Sequence, residues 1–256
     1  MQLQVKEISK RYYSGFLGNN EVDAVNQVSF EIKEGEIFGL VGGSGSGKTT
    51  LSKMILGLLK PTAGNIFYGD CDLTKVSKRD WYHLRKEIQM VFQHPQMTFN
   101  PRRNIYFACA EPIRLYKLAK NKAHEKEMVE ALIERVGLTK DQLKKYPHEL
   151  SGGQAQRLSI TRSLSLQPKF IICDEPTSML DVSVQAQILK LLKDIHDEFN
   201  ITMLYISHDL EVIESICDRV AVMNNGKIVE IGAVEEVFNN PQHPYTKQLL
   251  ESALII

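Results

Sequence analysis

Residues 37 to 50 read IFGLVGGSGSGKTT, and the fold turns on how they are parsed. IFGLV, 37 to 41, is apolar on both faces, as a central strand of a parallel sheet must be. The nine residues GGSGSGKTT satisfy G-x-x-x-x-G-K-[ST] and run into a helix expected to extend through Leu59, ended by Pro61 and Gly64. In that strand, loop, helix context Gly42 and Gly47 let the backbone curl so that several N–H groups point inward at a helix N-terminus, a ready seat for phosphate. Lys48 then reaches the β and γ phosphates, and Thr49 offers its hydroxyl to Mg²⁺. The whole loop, Gly42, Gly43, Ser44, Gly45, Ser46, Gly47, Lys48, Thr49 and Thr50, is the candidate nucleotide cradle.

Working outward, Val28, Phe30 and Ile32 alternate with polar residues before the turn at Glu34-Gly35 and predict a half-exposed antiparallel strand. IQMVF at 88 to 92 predicts a second buried strand leading into Gln93. No strand pattern follows in 101 to 165, where Met128, Leu132, Ile133 and Val136 recur at helical spacing and Gly137 caps the segment. Strand signals return in FIICD at 170 to 174 and TMLYIS at 202 to 207, separated by a helix from about Val182 to Phe199 with Asp181 as N-cap. Asn225-Gly226 joins RVAVM to KIVEI as a hairpin, and Pro241 and Pro244 are expected to break the chain before a last short helix ending in LLESALII. The reading is one domain with an inserted helical lobe.

With 256 residues, 43% hydrophobic and 24% charged, the chain can bury a core of this size. Lys plus Arg and Asp plus Glu both number 31, so the basic excess of a dedicated nucleic-acid binder is missing. The start MQLQVKEISKRYY lacks a signal-like apolar run, and 18 consecutive apolar residues occur nowhere, so a cytosolic chain is expected. Cys71, Cys109, Cys173 and Cys217 form no CxxC and the seven histidines no HxxxH, which leaves free thiols and no transition metal.

Asp174 ends an apolar strand and Glu175 follows at once, a costly pair of carboxylates unless something uses them. Asp174 suits Mg²⁺ held through water, and Glu175 suits orienting or deprotonating an attacking water. Gln93 and His208 follow other strands, so the edge rule for parallel sheets gathers Lys48, Gln93, Asp174, Glu175 and His208 around one γ-phosphate. LSGGQAQR, from 150, is a second glycine turn opening a helix, although one nucleotide needs only one cradle.

These stretches together resemble the nucleotide-binding subunits of ATP-binding-cassette transporters over essentially the whole chain. The resemblance is carried by GGSGSGKTT, VFQ ending at Gln93, LSGGQ at 150 to 154, FIICDE at 170 to 175, SMLD at 178 to 181 and ISHD at 206 to 209. It implies an α/β fold: a P-loop NTPase core with a mainly parallel sheet, an antiparallel β subdomain and an inserted α-helical subdomain. It implies a nucleotide-binding domain over 3–250, with the helical subdomain at about 95–165 and a C-terminal segment over 235–256. Ser151, Gly152, Gly153 and Gln154 would then contact the γ-phosphate bound on a partner's loop, so that two ATP molecules glue facing subunits together. Asp181 would cross that interface. Tyr12 would stack on adenine, with Tyr13 the alternative, and Thr49, Gln93 and Asp174 would serve Mg²⁺. Glu175, His208 and Gln93 are the expected catalytic group.

VFQHPQMTFNPRR, YPHELSGGQ, DVSVQAQIL and NPQHPYTKQLLES are similar to ATPases of peptide and nickel importers. That subfamily implies a second ATP-binding subunit, identical or homologous, two transmembrane permease subunits and an extracytoplasmic solute-binding protein. It also implies a peripheral site on the cytoplasmic face of the cell membrane and no nucleic acid. Ala155 and Met179 depart from the usual arginine and alanine. A chain end shortly after LLES, without a longer cysteine-containing tail, inclines the reading toward nickel or another chelated metal over peptides. QMTFNPRRNIYF, through Met97, Phe99, Ile105, Phe107, Arg102 and Arg103, is expected to line a groove for a short helix of the membrane protein. The rival class, a soluble cassette ATPase of translation or DNA repair, generally carries two cassettes or a long coiled coil, and neither is seen in this sequence.

Overall fold

The computed structural model describes residues 2–14 and 20–253. It comprises two compact units, 1–85 with 200–256 and 86–199. In the first, β1 (Leu3–Ser14) pairs antiparallel with β2 (Asn20–Ile32), from Leu3 opposite Ile32 outward. No regular alternation marks β1 in the sequence, and the structure gives the reason. Glu7 and Gln27 take positive φ (47° and 51°) and the register shifts between Val5 and Ile8, so buried Leu3, Val5 and Ile8 are spaced by two and then three. Val28, Phe30 and Ile32 are buried on one face of β2, as their alternation predicts.

β3 (Ile37–Val41) is buried along its whole length and leads through the glycine loop into α1 (Lys48–Ile55). The helix is four residues shorter than expected. Gly57 in the left-handed region (φ 65°) donates to the Met54 carbonyl at 3.0 Å, and Leu58 N–H to Lys53 at 2.9 Å, which closes the last turn before Pro61 can act. A side chain at Gly57 is also barred by Trp81, 2.2 Å from an ideal Cβ. β4 (Ala63–Tyr68) lies on the other edge of β1, β5 (Cys71–Asp72) completes the order β2-β1-β4-β5, and α2 (Lys78–Glu87) follows.

The second unit pairs β6 (Ile88–Val91) in parallel with a later strand through three helices. These are α3 (Ile105–Leu115), α4 (Lys122–Arg135) and α5 (Gly152–Leu164), followed by β7 (Phe170–Asp174) and α6 (Val182–Phe199). Phe92 falls outside β6 and is exposed. In α4 the inward stripe is Glu125, Val129 and Ile133, continued by Val136, while Met128 and Leu132 are only half-buried. Ile133 and Val136 are buried as the pattern predicts, but its first half falls on Glu125 and Val129 and not on Met128, because a carboxylate occupies an inward position. Glu125 is satisfied there by Arg114, at 2.6 and 2.7 Å, and by the Tyr106 hydroxyl at 2.8 Å. The Arg114 hydrogen bonds hold the Glu125 carboxyl below the usual range, against burial.

Back in the first unit, β8 (Thr202–Ser207), α7 (Leu210–Ile216), β9 (Arg219–Asn224), β10 (Lys227–Ala233), α8 (Val234–Asn239) and α9 (Pro244–Ala253) complete the chain. β8 and β9 flank β3, both parallel to it, and β10 is antiparallel to β9. Asn225 and Gly226 take φ of 46° and 79° in the hairpin turn between Asn224 and Lys227. The last three residues of LLESALII lie outside the described residues.

Candidate nucleotide site

The glycine loop is held from several sides by its own unit. Gly42 (φ 154°) and Gly47 (φ 110°) adopt angles that L side chains avoid. An ideal Cβ on Gly42 would lie 2.1 Å from the Met223 carbonyl oxygen, and one on Gly47 2.3 Å from that of Ala24. The Gly226 N–H donates to the Ser46 carbonyl at 2.9 Å, so the β9–β10 turn also braces the loop. Lys48 is buried, and its ammonium donates to the Gly42 and Gly43 carbonyls at 2.7 and 3.0 Å and to the Ser46 hydroxyl at 3.4 Å. Gly45 has φ of 76°, and a Cβ there would meet nothing within 4 Å, so the outer rim of the loop is open. Ser44 and Gly45 are exposed and Thr49 is exposed at the first turn of α1. A backbone cradle with a lysine at its base and open space at its rim fits a polyphosphate.

The register of β3 on β8 sets Val41 opposite Ser207, so Gly42 and His208 leave the sheet at one edge on adjacent strands. His208 is exposed, and Asp209 next to it caps α7 through its carboxylate. Tyr12 and Tyr13 are both exposed on β1, where successive side chains face opposite ways. Tyr12 pairs with Val22, two residues before Ala24, whose carbonyl approaches Gly47. Lys10 lies 5.3 Å from the Tyr12 ring centroid.

In the second unit β6 and β7 run parallel with Val91 opposite Cys173, which brings Gln93 beside the two carboxylates. Gln93 Nε2 donates to Glu175 Oε2 at 3.0 Å and to the Ser178 hydroxyl at 3.1 Å. Asp174 is buried at the strand end. Glu175 sits at φ 47°, in the left-handed region that costs a non-glycine residue about 1–2 kcal/mol. Strain of this sort at a residue already singled out for its chemistry is what functional positions tend to store. Ser178 went unread although it lies in the quoted SMLD stretch; it binds both the Gln93 amide and the Glu175 carbonyl.

LSGGQ opens α5 as expected, with Ser151 as N-cap. Its hydroxyl accepts from the Gln154 N–H at 3.3 Å and the Gln154 side chain accepts from the Ser151 N–H at 3.2 Å, a capping box. Gly152 and Gly153 are there for space within the unit. A Cβ on Gly153 would lie 2.5 Å from Val184 Cγ1, and one on Gly152 3.2 Å from Leu180 Cδ2. Asp181 accepts from the Val184 N–H at 3.0 Å and the Ser183 hydroxyl at 2.8 Å, which hold its carboxyl below the usual range. Ala155 is fully buried, a position that would oblige a longer side chain to displace its neighbours, whereas Met179 is exposed.

A cleft lies in this unit where the groove is expected, but its lining differs from the expectation, and Arg102 is not part of it. Ile105 is core, and Met97 is exposed away from the groove. A cleft of about 540 Å³ is lined by Phe99, Arg103, Phe107, Arg114, Leu115 and Arg162, among others, with Arg103 and Arg114 each 4.8 Å from the Phe107 ring centroid. Among the described residues no helix is long and apolar enough to cross a membrane, and no group of three or more His, Cys, Asp or Glu could hold a metal.

Comparison with known proteins bears on the whole chain. A family described as ABC transporter matches residues 25–178, and one described as the C-terminal region of oligopeptide/dipeptide transporters matches residues 229–256. The chain is 46% identical over 250 residues to an oligopeptide transport ATP-binding protein, OppF, of Streptococcus mutans, covering 98% of this chain and 80% of that protein. It is 45% identical over 252 residues to a dipeptide transport ATP-binding protein, DppF, of Lactococcus lactis, with the same coverage. A solved dimeric ATP-binding cassette in a post-hydrolysis state, bound to ADP and phosphate, superposes with a TM-score of 0.82 at 27% identity, over 91% of this chain and 98% of its own. A buried lysine in a braced glycine cradle, a glutamate held by a glutamine at adjacent strand ends, and these matches lead to one conclusion: the chain belongs to the ABC transporter family, as one of its ATP-hydrolysing, α/β cassette ATPases.

Proposed function

We propose that this ATPase powers a peptide importer. The observation that carries the reading is the 45–46% identity to oligopeptide and dipeptide transport ATP-binding proteins over 98% of the chain, together with the C-terminal match at 229–256. These relatives give peptides the stronger claim over the nickel or chelated-metal cargo to which the chain end inclined the sequence reading. The test is uptake of labelled di- and oligopeptides and of nickel by cells with and without the gene. Peptide uptake that depends on it supports the proposal, and nickel uptake alone refutes it.

In the proposed site the loop from Gly42 to Thr50 holds the phosphates, with Lys48 compensating their charge, and Tyr12 stacks on the base. Glu175 orients and deprotonates the attacking water, and Gln93, donating to Oε2, fixes the carboxylate that does so. His208 contributes at the γ-phosphate end. Thr49, Gln93 and Asp174 would hold Mg²⁺, which when bound supplies positive charge to the phosphate oxygens. Ser151, Gly152, Gly153 and Gln154 serve the loop of a second ATP-binding subunit, with Asp181 at the same interface. That division answers why the chain carries two glycine turns. The Phe99, Arg103 and Phe107 groove receives a short helix from one of two permease subunits, which are fed by an extracytoplasmic binding protein, and the ATPase lies on the cytoplasmic face of the membrane.

A further inference from the structure

The glycine loop has one support that comes from the far end of the chain. The Gly43 N–H donates to the Tyr245 hydroxyl at 3.0 Å, across 202 positions of sequence. On the opposite side of the same peptide unit, the Gly42 carbonyl accepts from the Lys48 ammonium at 2.7 Å. A trans peptide points its C=O and N–H in opposite directions, so these two hydrogen bonds fix the orientation of its plane. Both flanking residues are glycines, and nothing in their own sterics would stop that plane from rotating.

Tyr245 is itself anchored. Its N–H donates to His243 Nδ1 at 3.1 Å, and the N–H groups of Gln242 and His243 donate to the two oxygens of Glu230 on β10, at 2.8 and 3.0 Å. Burial pushes the Glu230 carboxyl up, but the hydrogen bonds from the Gln242 and His243 N–H groups help hold it below the usual range. A charged carboxylate thus ties down the turn that presents the hydroxyl.

We propose that Tyr245 is a positioning residue for nucleotide binding, its hydroxyl locking the Gly42–Gly43 peptide plane so that the phosphate loop is pre-organised. The proposal rests on reading residues 42–50 as the nucleotide loop. Without the hydroxyl the plane samples orientations that do not receive phosphate, and apparent affinity falls by the competent fraction. Losing one hydrogen bond of ordinary strength corresponds to about a five-fold change. Saturating nucleotide selects the competent form, so turnover at saturation is preserved.

The experiment uses Tyr245→Phe in the full chain, which removes one oxygen from a half-buried ring and leaves the packing in place. Three readouts are compared with wild type: hydrogen exchange of the Gly43 amide without nucleotide, MgATP affinity by calorimetry, and the thermal midpoint of the nucleotide-free protein. Expected are faster Gly43 exchange, MgATP binding weakened by up to about five-fold, KM raised in step with kcat unchanged, and a midpoint lowered by no more than about 4 °C. Unchanged affinity overturns the proposal, as does a lowered midpoint with affinity intact, because the hydroxyl would then serve only packing. Slow Gly43 exchange in the variant overturns it independently of any nucleotide. A wild-type chain that fails to bind MgATP would overturn the loop assignment first, and this proposal with it.

Discussion

Gly153 offers the sharpest separation of structure from function. An alanine there would place its Cβ 2.5 Å from Val184 Cγ1, roughly 1 Å closer than carbon atoms tolerate. Val184 cannot step aside easily, because it is β-branched and its N–H is held by Asp181 Oδ1 at 3.0 Å. Overpacking of this kind costs about 1–3 kcal/mol, which for a chain of this size lowers the melting midpoint by roughly 2–4 °C per kcal/mol. Adding Val184→Ala removes the colliding methyl, so the double variant should regain most of the lost midpoint. The assay is thermal unfolding of the two single variants and the pair, followed by light scattering with MgATP in a Glu175→Gln background. If Gly153 serves only its own unit, the rescued pair dimerises as the parent does. If its backbone also receives the partner's phosphate, the pair melts normally yet dimerises poorly, since the alanine methyl still occupies the helix terminus. Gly153→Ala that melts like wild type would refute the packing argument. A rescued pair that dimerises like its parent would refute the role in trans.

Lys48→Ala should eliminate measurable MgATP binding, since it removes the phosphate counter-charge and frees the Gly42 and Gly43 carbonyls; retained affinity in a calorimetric titration would contradict this. Glu175→Gln should keep both the fold and ATP binding, because its amide oxygen can still accept from Gln93, while lowering ATP turnover by a factor of about 10²–10⁴; turnover near wild type would remove Glu175 from the mechanism. The Arg114 hydrogen bonds hold Glu125 below the usual carboxylate range, so its share of stability is fully present above the unfolded pKa of about 4.3 and is lost as pH falls through the lower folded value. Glu125→Gln should flatten that acid limb in unfolding curves taken from pH 7 down to about pH 3; a limb of unchanged slope would show that other carboxylates carry it.

What the sequence revealed and what it hid follow from the range of the interactions. The strand, loop and helix start around Lys48, the cap at Asp181 and the turn at Asn225-Gly226 are set within a few residues, and all three are read correctly, whereas the end of that helix falls four residues early. β1 is invisible because bulges at Glu7 and Gln27 break the period of two that reveals a strand, even though Leu3, Val5 and Ile8 are buried. In α4 the pattern finds Ile133 and Val136 but misses the first turn of the stripe, because Glu125 points inward by virtue of Arg114 and Tyr106, residues on another helix. The edge rule for parallel sheets brings Gln93 and Glu175 to one sheet edge, but their hydrogen bond, and the place of Ser178 in it, depend on the pairing of β6 with β7, which no local pattern reveals. The Tyr245 contact with Gly43 leaves no trace in any local pattern.

The two glycine turns, alike on paper, use glycine for different physical reasons. In the first, Gly42, Gly45 and Gly47 lie at φ of 154°, 76° and 110°, so a side chain there is strained whatever its surroundings. No change in a neighbour can relieve that cost at Gly45, where the space is already open. In the second, neither Gly152 nor Gly153 lies in the left-handed region, and what excludes a side chain is Leu180 and Val184. That exclusion is relieved by shrinking the neighbour. The phosphate loop is therefore a backbone device, whereas the LSGGQ turn is a packing device that brings a capped helix end against the start of α6. Residues 151 to 154 and Asp181 are consequently coupled through Val184, which packs beside Gly153 and donates its N–H to the Asp181 carboxylate. A displacement at either should be felt at the other, and the proposed contact of both with a second subunit would draw on that coupling.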